Sequence, residues 1–393
     1  MTPQHWIITN RPVLSHKKKG DYVEEGHDYV AARPEFRIAR FTPPTKPAKK
    51  LKDEDYQAAV AFTPDDYPNS YDSLAPDADP EGVAGTQQLF LALYQDMLAA
   101  PREKGDVLIF LHGYNYTWND SLRHLHRLHQ LYAAPADSPV RTILYFSWPS
   151  VGDLFRYKVD QKNGSVSGWM LGRLFGKVIQ FYADFFNRER GADRPAFCGK
   201  HIHLAAHSMG NQVLEHLFKA INGVDFYRKN LFEEILMLNA DADWDALEPG
   251  RPLHQLTEYG NRLHIYNNRS DDALDISVDT KNDKKRLGRH GPRDLTLIPP
   301  HTLVVDTTSD PADLNDSLSD ASMQEDPFAV RATRIVSRND APISIKEVLI
   351  DHWGYLYRPA VIEDIKAVLR GQSSSEIEHR TPKDRHLYRL DEA

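Results

Sequence analysis

From about residue 86 onward, short apolar runs alternate with longer stretches of helical periodicity, and this alternation limits the folds open to the chain. The runs are continuous, as in strands that are covered on both faces. They comprise 107–111, 142–146, 202–206, 235–238, 263–266 and 302–305. Helical patterns occur at 87–99, 120–133, 168–187, 211–222 and 359–370. Strands that alternate with helices predict an α/β fold, with a doubly wound, mostly parallel sheet and flanking helices.

The rest of the chain is arranged around this pattern as an extension, two insertions and a tail. Residues 1–85 are polar and proline-rich, and we expect an N-terminal extension packed on the main domain. The α/β domain is expected over 86–371, with loop insertions at about 277–300 and 307–345. Loops this long are either functional covers or disordered segments, and a lid role for the second insertion stays open. Residues 372–393 are polar and are expected to form a frayed C-terminal tail.

Composition argues against several classes of function. The 393 residues carry 48 basic and 56 acidic side chains, and the formal net charge of −8 argues against a general nucleic-acid binder. A single cysteine, Cys198, excludes an intramolecular disulfide and a zinc site built on several thiolates. We find no secretory signal pattern, and no apolar stretch approaches the roughly 20 residues that a membrane-spanning helix needs. We therefore expect a cytoplasmic protein without a membrane span or a nucleic-acid partner, and the oligomeric state stays open.

The strongest local pattern is a serine at a turn between a strand and a helix. An apolar strand leads directly into Ala206-His207-Ser208-Met209-Gly210, and a helical period follows. A nucleophile elbow needs this order, because a strained turn exposes the serine and small neighbours let the strand and helix approach closely. Ala206 replaces the first glycine of the usual G-x-S-x-G pattern and keeps that position small. The pattern predicts Ser208 as a nucleophile.

Four motifs stand together in the chain: LIFLHGYN at 108–115, YFSWPS at 145–150, HLAAHSMGN at 203–211 and Asp-x-Ala-Leu at 271–274. With these motifs the chain resembles the α/β-hydrolase superfamily, and more narrowly a group of bacterial α/β-hydrolases. The similarity covers roughly residues 86–370, with a weaker match in ITNRP at 8–12. The resemblance implies an α/β-hydrolase fold and hydrolase chemistry, and it says little about the substrate.

The resemblance also implies an oxyanion hole. In this superfamily one amide comes from the loop after the strand that here ends in His112-Gly113, and the other comes from the residue after the nucleophile. The implied donors are the backbone N–H groups of Tyr114 and Met209. Side chains and backbone expected to line the site belong to His112, Gly113, His207, Trp148 and Trp353.

The base and the acid follow the nucleophile in the chain order Ser, Asp, His. His352 lies just before the last helix, where the family places its catalytic histidine, and His301 is the reserve candidate. The family's Asp-x-Ala-Leu motif selects Asp271 as the acid. Asp241 and Asp243 form the alternative acid site, because some α/β-hydrolases carry the acid after that earlier strand.

The expected function is that of a serine hydrolase which cleaves an ester-type acyl bond through a Ser-Asp-His triad and an acyl-enzyme intermediate. Carboxylesterase is the default activity, and the expected partner is a small-molecule acyl or ester substrate. A thioesterase, lipase, peptidase or acyltransferase, or a non-catalytic binding protein, stays open because fold does not fix chemistry. No cofactor is expected. No metal is expected either, because His124, His126 and His129 cannot share one helix face.

Overall fold

The computed structural model describes residues 4–17, 20–23, 32–46, 50–64, 70–150, 157–181, 199–221, 231–274, 284–308 and 351–391. The predicted insertion at 307–345 lies outside the described residues from 309 onward, and the insertion at 277–300 lies outside them up to residue 283. By contacts the chain divides into two compact units. The first comprises Met1–Leu204 and Gln212–Lys229, and the second comprises Ala205–Asn211 and Asn230–Ala393.

The first unit contains strands and helices, which alternate from Arg37 onward. Its strands are β1 (His5–Thr9), β2 (Val13–His16), β3 (Gly20–Val23), β4 (Arg37–Phe41), β5 (Val60–Phe62), β6 (Asp106–Leu111) and β7 (Val140–Ser147). Its helices are α1 (Asp53–Ala58), α2 (Gly85–Ala99), α3 (Trp118–Leu128), which continues as a π-helical turn over His129–Ala133, and α4 (Tyr157–Phe181). Strand β8 (Ile202–His207) begins in this unit and ends in the second, and helix α5 (Gly210–Ile221) begins in the second and ends in the first.

The N-terminal strand β1 lies inside the sheet of the first unit. It pairs in parallel with β7 and antiparallel with β4, and β6 pairs in parallel with β7. The strand order is β6-β7-β1-β4-β5. All five residues of β1 are buried, as expected for a strand that is covered on both faces of the sheet. The polar N-terminal segment therefore supplies strands to this sheet, and β2 and β3 form a separate hairpin.

The second unit is built on parallel strands. Its elements are β9 (Phe232–Leu238), α6 (Leu256–Tyr259), β10 (Gly260–Asn267), α7 (Leu287–His290), β11 (Thr302–Asp306), α8 (Gly354–Tyr357), α9 (Pro359–Leu369), β12 (Arg380–Pro382) and β13 (Leu387–Leu390). The strand order is β9-β10-β11-β13-β12, and all of these pairs are parallel except β12 with β13. Parallel strands end at one edge of a sheet, so the loops after β9, β10 and β11 lie on the same side.

The C-terminal tail differs from the expectation of fraying, which is wrong for residues 380–390. β13 pairs with β11, and the buried guanidinium of Arg380 donates to both carboxylate oxygens of Asp364 at 2.6 and 2.8 Å. Asp364 belongs to α9 and also accepts a hydrogen bond from the Tyr266 hydroxyl at 2.7 Å. Hydropathy patterns indicate exposure for such polar residues, and they carry no signal for a buried pair.

The predicted α/β architecture is confirmed. The six apolar runs coincide with β6 to β11, and the helical patterns coincide with α2, α3, α4, α5 and α9, apart from 182–187 and 222, which lie outside the described residues. Helix α4 begins eleven residues before its predicted start because polar and small residues weaken its periodicity. None of the described helices combines the length and the apolar character that crossing a membrane requires.

Candidate active site

Ser208 lies at the turn between β8 and α5. Its φ is 52°, in the left-handed region, and the side chain is almost completely buried. A non-glycine residue adopts positive φ only at a cost, and such strain concentrates at functional sites. Ala206 is fully buried in β8, and Gly210 opens α5. The strand, strained serine and helix together have the form of a nucleophile elbow.

Neighbouring groups hold the backbone of this turn in place. The Ser208 N–H donates to the Leu238 carbonyl at 3.0 Å, and the Ser208 carbonyl accepts from the N–H groups of Asp241 and Asn211 at 3.1 and 3.0 Å. The Asn211 amide also donates to the carbonyls of Ala206 and Ser208 at 2.9 and 3.1 Å. Contacts with β9 and with the start of α5 therefore hold Ser208 in its strained conformation.

Replacing Asn211 with alanine tests whether its side-chain hydrogen bonds stabilise the turn at Ser208. We expect Asn211→Ala to lower the free energy of unfolding by about 1–3 kcal/mol, because two buried carbonyls lose a donor. Urea denaturation measures the effect. Lys219→Ala is the control on the same helix, since its partly exposed pair with Glu215 should contribute less than about 0.5 kcal/mol. Equal losses of unfolding free energy in the two variants would contradict a stabilising role for the Asn211 hydrogen bonds.

His352 and Asp271 form a buried hydrogen-bonded pair. The distance from His352 Nδ1 to Asp271 Oδ2 is 2.6 Å, and the carboxylate is fully buried. A carboxylate only accepts hydrogen bonds, so Nδ1 carries the proton, and a neutral His352 then has Nε2 as an acceptor. This is the tautomer that a general base needs.

The turns after β10 and before α8 bring this pair together. The Asp271 N–H donates to the Asn268 carbonyl at 3.1 Å, in the turn that follows β10. The Asn268 side-chain amide donates to the carboxylate and to the carbonyl of Asp351 at 2.6 and 3.0 Å. Asp351 immediately precedes His352 in the chain. Asn268 thus connects the turn that carries Asp271 to the segment that carries His352.

The alternative acids lie in an ion-pair cluster. Asp241 Oδ1 is 3.0 Å from Nε of Arg286, and Asp243 is bonded to Arg286 and Arg251 at 2.8 and 2.9 Å. The reserve base His301 is exposed at the start of β11. The structure therefore brings Asp271 to His352 and holds Asp241 and Asp243 against arginines.

His207 and Trp353 surround His352. The His207 Nε2–H donates to the His352 carbonyl at 2.9 Å, and the two rings are 4.6 Å apart between centroids. The Trp353 ring lies edge-on to His352 at 5.0 Å, and both side chains are buried. These contacts restrict the orientation of the His352 ring from the side of the elbow and from the side of the following residue.

In the first unit, His112 has a structural arrangement. Its Nδ1–H donates to the Gly113 carbonyl at 2.7 Å, and its Nε2 accepts from the Trp148 N–H at 3.1 Å. The Trp148 indole N–H donates back to the His112 carbonyl at 2.8 Å, and the two rings are stacked 5.2 Å apart. Burial lowers the pKa of His112 to about 3, so the ring is neutral near neutral pH. With both nitrogens engaged, His112 shapes its loop rather than transferring protons.

Ser150 fixes the loop that follows His112. Its hydroxyl accepts from the N–H groups of Asn115 and Tyr116 at 2.6 and 3.4 Å, and it donates to the buried Asp160 carboxylate at 2.9 Å. Asn115 has a positive φ of 67°, so the loop containing Tyr114 turns sharply. The YFSWPS motif therefore serves to hold the HGYN loop, which sequence reasoning did not anticipate.

Sequence reasoning also missed a buried carboxylate next to the histidine. Asp351 is almost fully buried and is bonded to the Arg358 guanidinium at 2.8 Å, to the Tyr357 hydroxyl and to Asn268. Burial raises the pKa of Asp351, and the Arg358 charge opposes the rise. Its position beside His352 in the sequence was the available signal.

The described residues include no cluster of histidine, cysteine, aspartate or glutamate that could hold a metal ion. The His124 ring is hydrogen-bonded to the Tyr145 hydroxyl at 2.8 Å, and the His129 ring is hydrogen-bonded to the His5 ring at 2.9 Å. His124 and His5 are fully buried and His129 is half-buried, all within the first unit. Their contacts are those of polar side chains that satisfy one another.

The fold and the elbow define the class of protein. Parallel strands with flanking helices, and a serine at positive φ between strand and helix, are the features of an α/β-hydrolase. The chain belongs to an α/β-hydrolase family of unknown function (DUF900), whose model matches residues 93–336, more than half of the chain. The predicted membership of the superfamily is thereby confirmed. Ser208 and Asp271 lie within the matched range, and His352 follows it. Among curated proteins, no match to the chain was found.

Proposed function

We propose that the chain is a serine hydrolase that cleaves an ester-type acyl bond, with a carboxylic ester as the default substrate. The observation that carries the proposal is the 2.6 Å contact between His352 Nδ1 and Asp271 Oδ2, in the same unit as the positive-φ Ser208. Strained serine, histidine and buried carboxylate occur in the chain order Ser, Asp, His that this fold uses.

In the proposed mechanism, Ser208 Oγ attacks the acyl carbonyl while His352 Nε2 takes its proton. The resulting imidazolium keeps its Nδ1–H on Asp271, whose negative charge stabilises the positive ring. His352 then returns the proton to the leaving alcohol, and an acyl-enzyme remains on Ser208. Attack by water, with His352 again as the base, releases the acid and restores the serine.

The developing oxyanion needs hydrogen-bond donors. The Met209 N–H follows the nucleophile at the start of α5, and no acceptor for it occurs among the described residues. The second donor in the proposal is the Tyr114 N–H, which rests on the sequence resemblance. One such donor typically stabilises the transition state by about 2.7–4 kcal/mol.

A fluorophosphonate probe tests the proposal, because it reacts with an activated serine whatever the natural substrate is. We expect the probe to label the wild-type chain at Ser208, with complete loss of labelling in Ser208→Ala. Mass spectrometry of the labelled peptide identifies the site. Ser373→Ala, at an exposed serine, is the control and should label as the wild type does.

The outcomes separate the alternatives. A folded wild-type chain that does not label, or equal labelling of Ser208→Ala, would contradict the proposal and favour a non-catalytic binding protein. Where labelling succeeds, a panel of activated esters of different chain length, acyl thioesters and amides identifies the acyl bond. Preference for a thioester or an amide would replace carboxylesterase by thioesterase or peptidase on the same residues.

A further inference from the structure

Asn239, which no sequence motif singles out, contacts the proposed acid. It is the first residue after β9, and its side chain is more than nine-tenths buried. Its Nδ2 donates to Asp271 Oδ2 at 2.8 Å, the same oxygen that accepts the His352 Nδ1–H at 2.6 Å. The same amide nitrogen lies 3.5 Å from the carbonyl of Asp351, next to the histidine.

Within the described part of the chain, the orientation of the Asp271 carboxylate depends on the contacts of Oδ2 alone. Among the described residues, Asp271 Oδ1 has no hydrogen-bond partner. Rotation about the last bond of an aspartate side chain is soft, so a single contact with His352 would leave the plane of the carboxylate poorly defined. Two donors that converge on Oδ2 from different elements define both the position of that oxygen and the direction in which it accepts.

The backbone of Asn239 is fixed independently of its side chain. Its φ is 43°, a conformation that asparagine tolerates better than most residues, and its N–H donates to the Tyr266 carbonyl at 3.1 Å. Gly288 packs against it so closely that a Cβ there would lie 2.2 Å from the Asn239 carbonyl carbon. The Gly288 N–H also donates to the Ala240 carbonyl at 2.9 Å. The amide is therefore presented from a rigid support.

We propose that Asn239 is a positioning residue, which holds the Asp271 carboxylate in the orientation that aligns His352 for proton transfer. This inference rests on the proposed function. Among the described residues, the Asn239 side chain makes no hydrogen bond to Ser208 or to the His352 ring, and its shorter contact is with Asp271, so we expect its effect to pass through Asp271. Loss of one hydrogen bond to a charged group should slow the reaction of Ser208 about 10- to 100-fold.

The experiment measures the second-order rate constant for fluorophosphonate labelling of Ser208, which requires no knowledge of the substrate. Asn239→Gly removes the amide and accepts the positive φ without strain. Asn239→Asp keeps the shape and the tolerance of positive φ but replaces the donor by a second carboxylate. Each variant is made in the wild-type chain and in the Asp271→Ala background, and urea unfolding establishes that each one is folded.

We expect Asn239→Gly and Asn239→Asp to slow labelling about 10- to 100-fold in the wild-type chain. In the Asp271→Ala background, Asn239→Gly should change the rate less than about twofold, since no carboxylate is left to position. Wild-type rates in both variants would overturn the inference while the proposed function stands. If Asn239→Gly slows labelling by the same factor in the wild-type chain and in Asp271→Ala, the inference is also overturned. Asn239 would then have a general structural role that does not depend on Asp271. If the wild-type chain does not label at Ser208, the proposed function fails and the inference falls with it.

Discussion

Asp271→Asn is expected to lower the rate of ester hydrolysis about 10³- to 10⁴-fold. The Asp271 carboxylate is fully buried and accepts the His352 Nδ1–H at 2.6 Å. In the proposed mechanism the histidine takes the serine proton, so a positive charge develops beside this carboxylate, and the neutral amide of asparagine cannot stabilise that charge to the same extent. Hydrolysis of an activated short-chain ester and the rate of fluorophosphonate labelling measure the effect.

Asp241→Asn and Asp243→Asn are the matched controls, and both should hydrolyse the ester within a few-fold of the wild-type rate. Their carboxylates are bonded to Arg286, and Asp243 is also bonded to Arg251. Their loss should therefore appear as a lower free energy of unfolding, most clearly for the buried Asp241. If one of these controls loses activity while Asp271→Asn retains it, the acid lies after β9 instead of after β10.

The parts of the site that the sequence could predict are those tied to local patterns. Ser208 lies in a strand, turn and helix order that the apolar runs display directly, whereas Asp271 and His352 were predicted from the resemblance to the α/β-hydrolases. The strands β6 to β11 were predictable for the same reason, because burial on both faces leaves continuous apolar runs. For the serine and for these strands, the information lies in a short stretch of neighbouring residues.

Two contacts, one at the site and one at the C-terminal tail, join polar groups far apart in the chain, and no local pattern encodes them. Asn239 and Asp271 are separated by 32 positions, and Arg380 and Asp364 by 16. Hydropathy treats such residues as exposed, although a fully satisfied partner lets them be buried. His112 shows the reverse case: the sequence placed it among the site-lining residues, and the structure engages both of its ring nitrogens in shaping a loop.

The second large effect concerns stability, and it arises from the buried pair of Asp351 and Arg358. We expect Arg358→Met to lower the free energy of unfolding by about 3–5 kcal/mol, because the change leaves a buried carboxylate without its cation. Both side chains are almost fully buried, and the Arg358 guanidinium also donates to the Thr307 carbonyl at 2.5 Å. Urea denaturation at neutral pH measures the loss. The double variant Asp351→Asn/Arg358→Met removes both charges and should recover a large part of it.

The loss in Arg358→Met should also depend on pH. Burial already raises the pKa of Asp351 in the wild-type chain, and removal of the Arg358 charge raises it further. Below the unfolded-state pKa of about 3.9 the carboxyl is protonated in both states, so the variant buries no charge there. As the pH rises toward the folded-state pKa, the unfolded chain releases this proton while the folded chain retains it, and the variant loses stability.

The gap in unfolding free energy between Arg358→Met and the wild type should therefore be smaller at pH 5 than at pH 8. A gap that is equal at both pH values, or a double variant as unstable as Arg358→Met, would show that Arg358 stabilises the fold through its packing and not through the charge of Asp351.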